Sequence, residues 1–314
     1  MFHSRTKDAA RGKWRGILLE FGLPESCLKN KHGPCPICQS KDGFRWDDKD
    51  GTGSYICTCG SGSGMDLAIA VTGRDYRTVC DEIDLMVNNI KADTVAPKRE
   101  LTADERRTAL VGVWNNTAPM QVGDLAHKYL ESRGVGELIY PAALRFGRAI
   151  ADGEGGVRPC MVALVGVHGE GKFRSMHRTF LRPDGLAKAD MEAPRKLMPG
   201  DLPAGACVML SEYTTGPLGI AEGIETALSA SALYSLPVWS ALNSALLQKW
   251  QPPEGCDEVA IFGDNDRKFG GQAAAYTLAH RLAIKGIHVT VHIPPMPGED
   301  WNDVLVSKYR KGAA

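Results

Sequence analysis

The sequence predicts an α/β protein in three parts: a small cysteine-bearing N-terminal module, an α+β middle segment, and a C-terminal domain built on a parallel sheet. Three observations carry this. Cys35, Cys38, Cys57 and Cys59 crowd into one short polar stretch. Two β-type runs, 159–167 and 173–181, flank the turn Gly169-Glu170-Gly171. Further on, a short apolar run twice ends in an acidic turn and leads into an Ala-rich helical pattern, at 218–226 and at 259–266. Parallel strands joined by helices place their carboxyl ends along one edge, where open α/β sheets bind ligands.

A chain of 314 residues suggests two domains, or three if one is small. The expected division is 1–90 for the cysteine module with flanking helices, 91–107 for a linker, 108–210 for a basic α+β segment and 211–314 for the parallel-sheet domain. The linker assignment rests on its polarity, on Pro97, and on the lack of apolar periodicity before Leu110. Formal net charge is +0, so any nucleic-acid binding must come from local basic clusters. The first thirteen residues are charged and lack an apolar core, and no apolar run approaches the roughly 20 residues that span a bilayer. The expectation is a cytoplasmic protein with no membrane partner. There, clustered cysteines signal metal more than disulfide.

Residues 9–21 carry Trp14, Ile17, Leu18 and Phe21 at helical spacing, stopped by Gly22 and Pro24. Next come Cys35-Pro36-Ile37-Cys38 and Cys57-Thr58-Cys59 at the ends of two strand-like runs around Asp50-Gly51, a zinc-ribbon pattern. The first pair has the spacing that lets both thiolates reach one tetrahedral ion. The second is one residue tighter, and His32 could replace a thiolate. Such a small module has little core without a metal. With four thiolates the zinc is structural. Arg45, Trp46 and Tyr55 lie between the pairs, suited either to stacking on single-stranded nucleic acid or to covering the small core. Helices are expected over 65–71 and 76–87, the second capped by Asp75 with Cys80 on its apolar face. A further helix opens with Thr102 as its cap and runs through Trp114.

The middle segment opens with a helix over 125–132 ending at Gly134. Its return strand bears Arg174, His177 and Arg178, and Lys188, Arg195 and Lys196 follow. This concentration of positive charge beside strands reads as a groove for phosphates of template or nucleotide. In the last domain, Glu222 sits in a Gly-flanked turn, Glu225 lies three residues on, and Asp264 and Asp266 form an Asp-x-Asp pair. At period two both carboxylates of that pair can point the same way. Like charges so close are unfavourable without a cation, and Mg²⁺ suits an all-oxygen site. Asp300 and Asp303 follow the last strand, 289–293. Glu225 and Asp303 are also simple helix-start residues.

Ala221-Glu222-Gly223 with Gly263-Asp264-Asn265-Asp266 resembles a Toprim domain. Together with His32–Cys38, His177-Arg178-Thr179-Phe180-Leu181 and Asp300-Trp301-Asn302-Asp303, the chain resembles the zinc-ribbon-plus-Toprim primases of phages, plasmids and integrated elements, related to DnaG-type primases. The resemblance implies that Glu222 acts in acid–base work or holds a metal-bound water. It implies that Asp264 and Asp266 bind Mg²⁺, with Mn²⁺ able to stand in, and that Asp300 supports a second ion. It also implies a zinc ribbon that reads the template, and a basic middle segment that lines the template and nucleotide groove. Thr226 stands where related primases often have Asp, with Glu225 one position early. The implied activity is synthesis of short RNA primers from ribonucleoside triphosphates on single-stranded DNA. A replicative helicase would act in trans, since no Gly-x-x-x-x-Gly-Lys-Ser/Thr motif is present. The alternatives are a Toprim nuclease and a non-catalytic recombination mediator.

Overall fold

The computed structural model describes residues 3–92, 101–136 and 140–312. The chain divides into two compact units, Met1–Glu100 and Leu101–Ala314. Of the expected linker, residues 93–100 lie outside the described residues, whereas 103–107 already belong to a helix rather than to a linker. Among the described residues no helix is long and apolar enough to cross a membrane.

In the first unit, the helix expected over 9–21 forms as two, α1 (His3–Ala10) and α2 (Trp14–Glu20). Gly12 breaks it by entering the left-handed region at φ 72°, which glycine adopts without a Cβ clash. The strands β1 (Arg45–Trp46), β2 (Tyr55–Cys57) and β3 (Gly60–Gly62) form an antiparallel sheet in that order. Helix α3 (Gly64–Thr72) starts at a capping box between Ser63 and Asp66. Helix α4 (Tyr76–Met86) is capped by Asp75, which accepts from the amides of Arg77 and Thr78. One core joins Trp14, Ile17 and Leu18 to Phe44, Trp46, Tyr55, Val79, Cys80 and Ile83.

The second unit opens with α5 (Ala103–Asn115), begun by a capping box between Thr102 and Glu105. A five-stranded antiparallel sheet surrounds α6 (Leu125–Ser132) in sequence. Its strands are β4 (Ala118–Pro119), β5 (Leu144–Ala151), β6 (Val157–Gly166), β7 (Phe173–Phe180) and β8 (Arg195–Leu197), paired in that order. The period of two along β6 and β7 divides their side chains between two cores. Val162, Met176 and Phe180 pack with Leu110, Val113 and Trp114 of α5. Met161, Ala163 and Val165 pack with Tyr129 and Leu130 of α6 and with residues of the C-terminal part.

That part alternates β9 (Leu218–Ala221), α7 (Ile224–Tyr234), β10 (Val238–Ser240), α8 (Ser244–Lys249), β11 (Glu258–Phe262), α9 (Gly270–Ala283), β12 (His288–His292) and α10 (Trp301–Gly312). The sheet is wholly parallel, in the order β10-β9-β11-β12. The chain therefore winds outward from β9 to β10, then crosses back over β9 to β11. Its direction reverses between β9 and β11, and a crevice opens at the strand ends beside such a reversal. The short pair β10 and α8 was not foreseen, because three residues of strand are too few to show a period.

Gly64 packs so closely under Trp14 that an added Cβ would lie 2.2 Å from the indole Cδ2. Gly64→Ala should therefore destabilise the first unit by about 1–3 kcal/mol through overpacking, read as a lower thermal midpoint.

Candidate active site at the strand ends of the parallel sheet

Glu222 directly follows β9, and its carbonyl accepts from the Ser240 hydroxyl at 2.9 Å, which ties the turn to β10. Asp264 and Asp266 follow β11, on the other side of the reversal point. Gly271 lets α9 approach, since a Cβ there would sit 2.6 Å from the Asp264 carbonyl oxygen. Asp266 accepts from the Gly271 amide at 2.8 Å. Asn265 stitches this turn to the next loop. Its amide donates to the Glu299 carbonyl at 3.0 Å, its side-chain Nδ2 donates to Pro294 at 2.7 Å, and its carbonyl accepts from Gly298 at 2.5 Å. Asp300 is thereby held beside the Asp pair. Asp300 Oδ1 accepts from the Asp303 amide at 2.9 Å, and Asp303 Oδ2 accepts from the Asp300 amide at 3.2 Å, so Asp300 is the N-cap of α10 and Asp303 closes the capping box.

These carboxylates act on one another. Burial, then Glu222, Asp300 and Asp266, push Asp264 up to about 7, with Arg195 opposing. Burial and Asp266 also raise Glu222, again opposed by Arg195. Asp264 Oδ1 is buried without a hydrogen-bond partner. Crowded, under-bonded oxygen donors of this kind fit Mg²⁺. The set is looser than the sulfur cluster of the first unit. Among the described residues only the four cysteines bring three or more candidate ligand atoms mutually within 4.8 Å.

Glu225 takes no place in the acidic cluster. It is buried in the first turn of α7, accepts a hydrogen bond from the Tyr129 hydroxyl, and pairs with Lys188 at 3.1 Å. Burial would raise it, but Lys188 and Tyr129 outweigh burial and hold it at about 2. His177 lies nearby on β7 with its Nδ1 buried and unpartnered, and burial pushes it down to about 4, so it is neutral at pH 7.

The register of the antiparallel sheet sorts the basic residues. His177 pairs with Ala163 and Leu197, and Thr179 with Arg195, so these share the face packed toward α7. Arg178 pairs with Val162 and Lys196, on the opposite face against Phe180. Arg178 donates to the Ala151 carbonyl at 3.0 Å, and Lys196 pairs with Glu154 at 3.1 Å. Arg174 makes two bonds to Glu170, at 2.7 and 2.8 Å. Of the basic residues predicted to line a groove, Arg174, Arg178 and Lys196 are thus committed elsewhere, and Lys188 is bound to Glu225. The exposed cation that acts on Glu222 and Asp264 is Arg195, which the sequence places in the basic concentration without setting it apart from Lys196. Its signal is the alternation that puts it opposite Thr179, on the side of His177.

In the first unit, Cys35 and Cys59 sulfurs lie 3.8 Å apart, as do those of Cys38 and Cys57. Four thiolates about 2.3 Å from a tetrahedral Zn²⁺ stand about 3.8 Å from one another. The amides of Ile37 and Cys38 both point at Cys35 Sγ, at 3.4 Å, which shapes the first pair as a ligand knuckle. The Ser40 hydroxyl and amide lower Cys38 to about 6. His32 is exposed and outside the sulfur set. Trp46 is only 4% exposed and sits in the core, and Tyr55 is buried against Phe44 with ring centroids 5.5 Å apart. Neither ring is available as a stacking platform, and Arg45 lies near Asp47 at 3.7 Å.

Two outcomes follow from the charges. A depressed carboxylate stabilises the fold above its ordinary pKa and loses that contribution as pH falls through its folded value. Glu225→Gln should therefore cost about 3 kcal/mol at pH 7 in urea unfolding, because it leaves Lys188 unpaired. The gap to wild type should close as pH falls from 4.5 toward about 2, and adding Lys188→Met should recover much of it. Asp264 is the opposite case: its raised value means stability is lost as pH climbs from 3.8 toward about 7. In divalent-free buffer at pH 8, Asp264→Asn should unfold about 2 kcal/mol later than wild type, whereas added Mg²⁺ should stabilise wild type and not the variant.

Family models match three stretches of the chain: a zinc-binding domain of primase-helicase over residues 30–65, a domain of unknown function (DUF7146) over 104–209, and a Toprim domain over 217–311. Solved structures that resemble it include the Aquifex aeolicus primase (zinc-binding and RNA polymerase domains), 14% identical over 98% of this chain and 83% of that one, with a TM-score of 0.44. The primase fragment of the bacteriophage T7 primase-helicase is 14% identical over 90% of this chain and 97% of that one, with a TM-score of 0.39. The E. coli primase catalytic core is 14% identical over 66% and 78%, with a TM-score of 0.40. By these family models the chain joins a zinc-binding domain of the primase-helicase type, over residues 30–65, to a Toprim domain, over 217–311.

Proposed function

We propose that the protein is a DNA primase that joins ribonucleotides into short RNA primers on single-stranded DNA. The observation that carries this reading is the acidic cluster at the reversal point of the parallel sheet, where Asp264 is raised to about 7 and its Oδ1 lacks a partner. A cation opposes that charge from the neighbouring sheet, at Arg195. Joining nucleotides needs both features: a place for metal ions and a positive group for the triphosphate.

Glu222, Asp264, Asp266 and Asp300 would hold the ions. When bound, two Mg²⁺ supply an activated 3′-hydroxyl and neutralise the departing pyrophosphate. Glu222, whose pKa burial and Asp266 raise, would be the acid–base group of the set. Arg195 would take the charge of the triphosphate, and neutral His177 would offer a hydrogen bond without adding charge. The zinc-bearing unit would bind template through its surface charges, since Trp46 and Tyr55 are buried. Single-stranded DNA, ribonucleoside triphosphates and a replicative helicase acting in trans are the partners this reading assigns.

Incubation with single-stranded DNA, Mg²⁺ and labelled ribonucleotides should give short RNA. Asp264→Asn should reduce the yield by at least about 100-fold, in line with loss of a transition-state electrostatic group. Strand cutting without synthesis would instead favour a nuclease, and DNA binding with neither activity a recombination mediator.

A further inference from the structure

Phe269 is held in an unfavourable state that the fold itself does not explain. It follows the Asp264–Asp266 turn, at the N-cap of α9, with φ 61° and ψ 18°. That left-handed conformation costs a side-chain-bearing residue about 1 kcal/mol or more, and a bulky one most. The ring is 69% exposed, so it returns nothing through burial. Gly270 and Gly271 follow at once, so glycine is at hand in this turn and is not used at the one position that favours it. The conformation is pinned by the Phe269 amide, which donates to the Asp266 carbonyl at 2.9 Å, and by the Phe269 carbonyl, which accepts from Ala273 at 2.9 Å. Strained residues of this kind cluster at active sites and ligand clamps.

Its surroundings define the ligand. Arg267 and Lys268 are exposed on the same turn. Arg267 lies over Gly298, whose φ of 95° and missing side chain leave room for the guanidinium, with Nε 3.3 Å from where a Cβ would stand. Met296, 60% exposed, is on that adjoining loop, which Gly298 and Glu299 tie to Asn265. An aromatic face with cations beside it, at the lip of a phosphate-transfer site, suits a base and its flanking phosphate in a single strand.

We infer that Phe269 is a base-stacking platform for single-stranded DNA at the mouth of the acidic site, with Arg267 on the adjacent phosphate. The inference rests on the primase reading for the identity of the strand. Binding of a fluorescent single-stranded oligonucleotide is measured by anisotropy, with intact bases and with an abasic run, for wild type, Phe269→Gly and Phe269→Trp. Phe269→Gly should bind the intact strand roughly 10-fold more weakly and lose the preference over the abasic strand. Its thermal midpoint should be no lower than wild type, because glycine relieves the strain. Phe269→Trp should keep both affinity and preference. Unchanged affinity in Phe269→Gly, equal losses on both strands, or a fall in its thermal midpoint would overturn the inference. So would a change of oligomeric state on sedimentation, which would assign the ring to a second copy of the chain. A wild-type chain that binds no oligonucleotide removes this inference and the primase reading together. One that makes RNA while Phe269→Gly binds normally removes the inference alone.

Discussion

The mutual repulsion of carboxylates at one point of the sheet is the constraint around which the second unit is arranged. The strand order brings the turns after β9 and β11 side by side, and Asn265 draws in the loop that carries Asp300. Burial makes the charges of Glu222 and Asp264 costly, and Asp264 bears most of the strain. A fold that keeps this arrangement gives up stability locally, as sites built to receive a cation do. The neighbouring antiparallel sheet offsets it with Arg195, whose influence reaches Glu222, Asp264 and Glu225 alike.

Glu225 shows how one helix turn separates two uses of the same side chain. Glu222 and Glu225 are three residues apart, yet one faces the crevice and the other is driven inward between α6 and the loop bearing Lys188. Tyr129 and Lys188 come from segments far away in sequence and satisfy it completely enough to keep it ionised while buried. The pair also fastens the first turn of α7 to the segment that leads into β8, so the acidic turn and the cationic strand share one anchor. Such a buried pair is sensitive to loss of one partner and tolerant of loss of both.

The zinc-bearing unit follows a separate logic. Its strands are two or three residues long, too short to hold a fold by pairing, and its stability comes from α2, α3 and α4 closing over Trp46, Phe44 and Tyr55. The sulfur cluster lies at the edge of that core. The spacing of the second cysteine pair, one residue tighter than the first, does not prevent all four sulfurs from meeting, because β2 and the turn after it aim Cys57 and Cys59 toward the knuckle.

Much of this was legible in the sequence because it is local. Capping residues Asp75 and Thr102, the helix over 125–132, the strands β9, β11 and β12 and the cysteine spacing all depend on neighbours within a few residues. The acidic edge was legible for the same reason: strand, turn and helix recur, and parallel strands share an end. What the sequence could not settle was which side of a sheet a residue occupies and who its partner is. Strand β5, with its glycine and its arginines, has no clean alternation, so it went unseen. Arg195 looked equivalent to Lys196 beside it, and only the register with β7 put one toward the acidic site and the other away. Trp46 was open to stacking until the core closed over it. Local chemistry determined the kind of site. Tertiary structure decided its membership, because burial and pairing between distant segments set which charges remain free to meet a ligand.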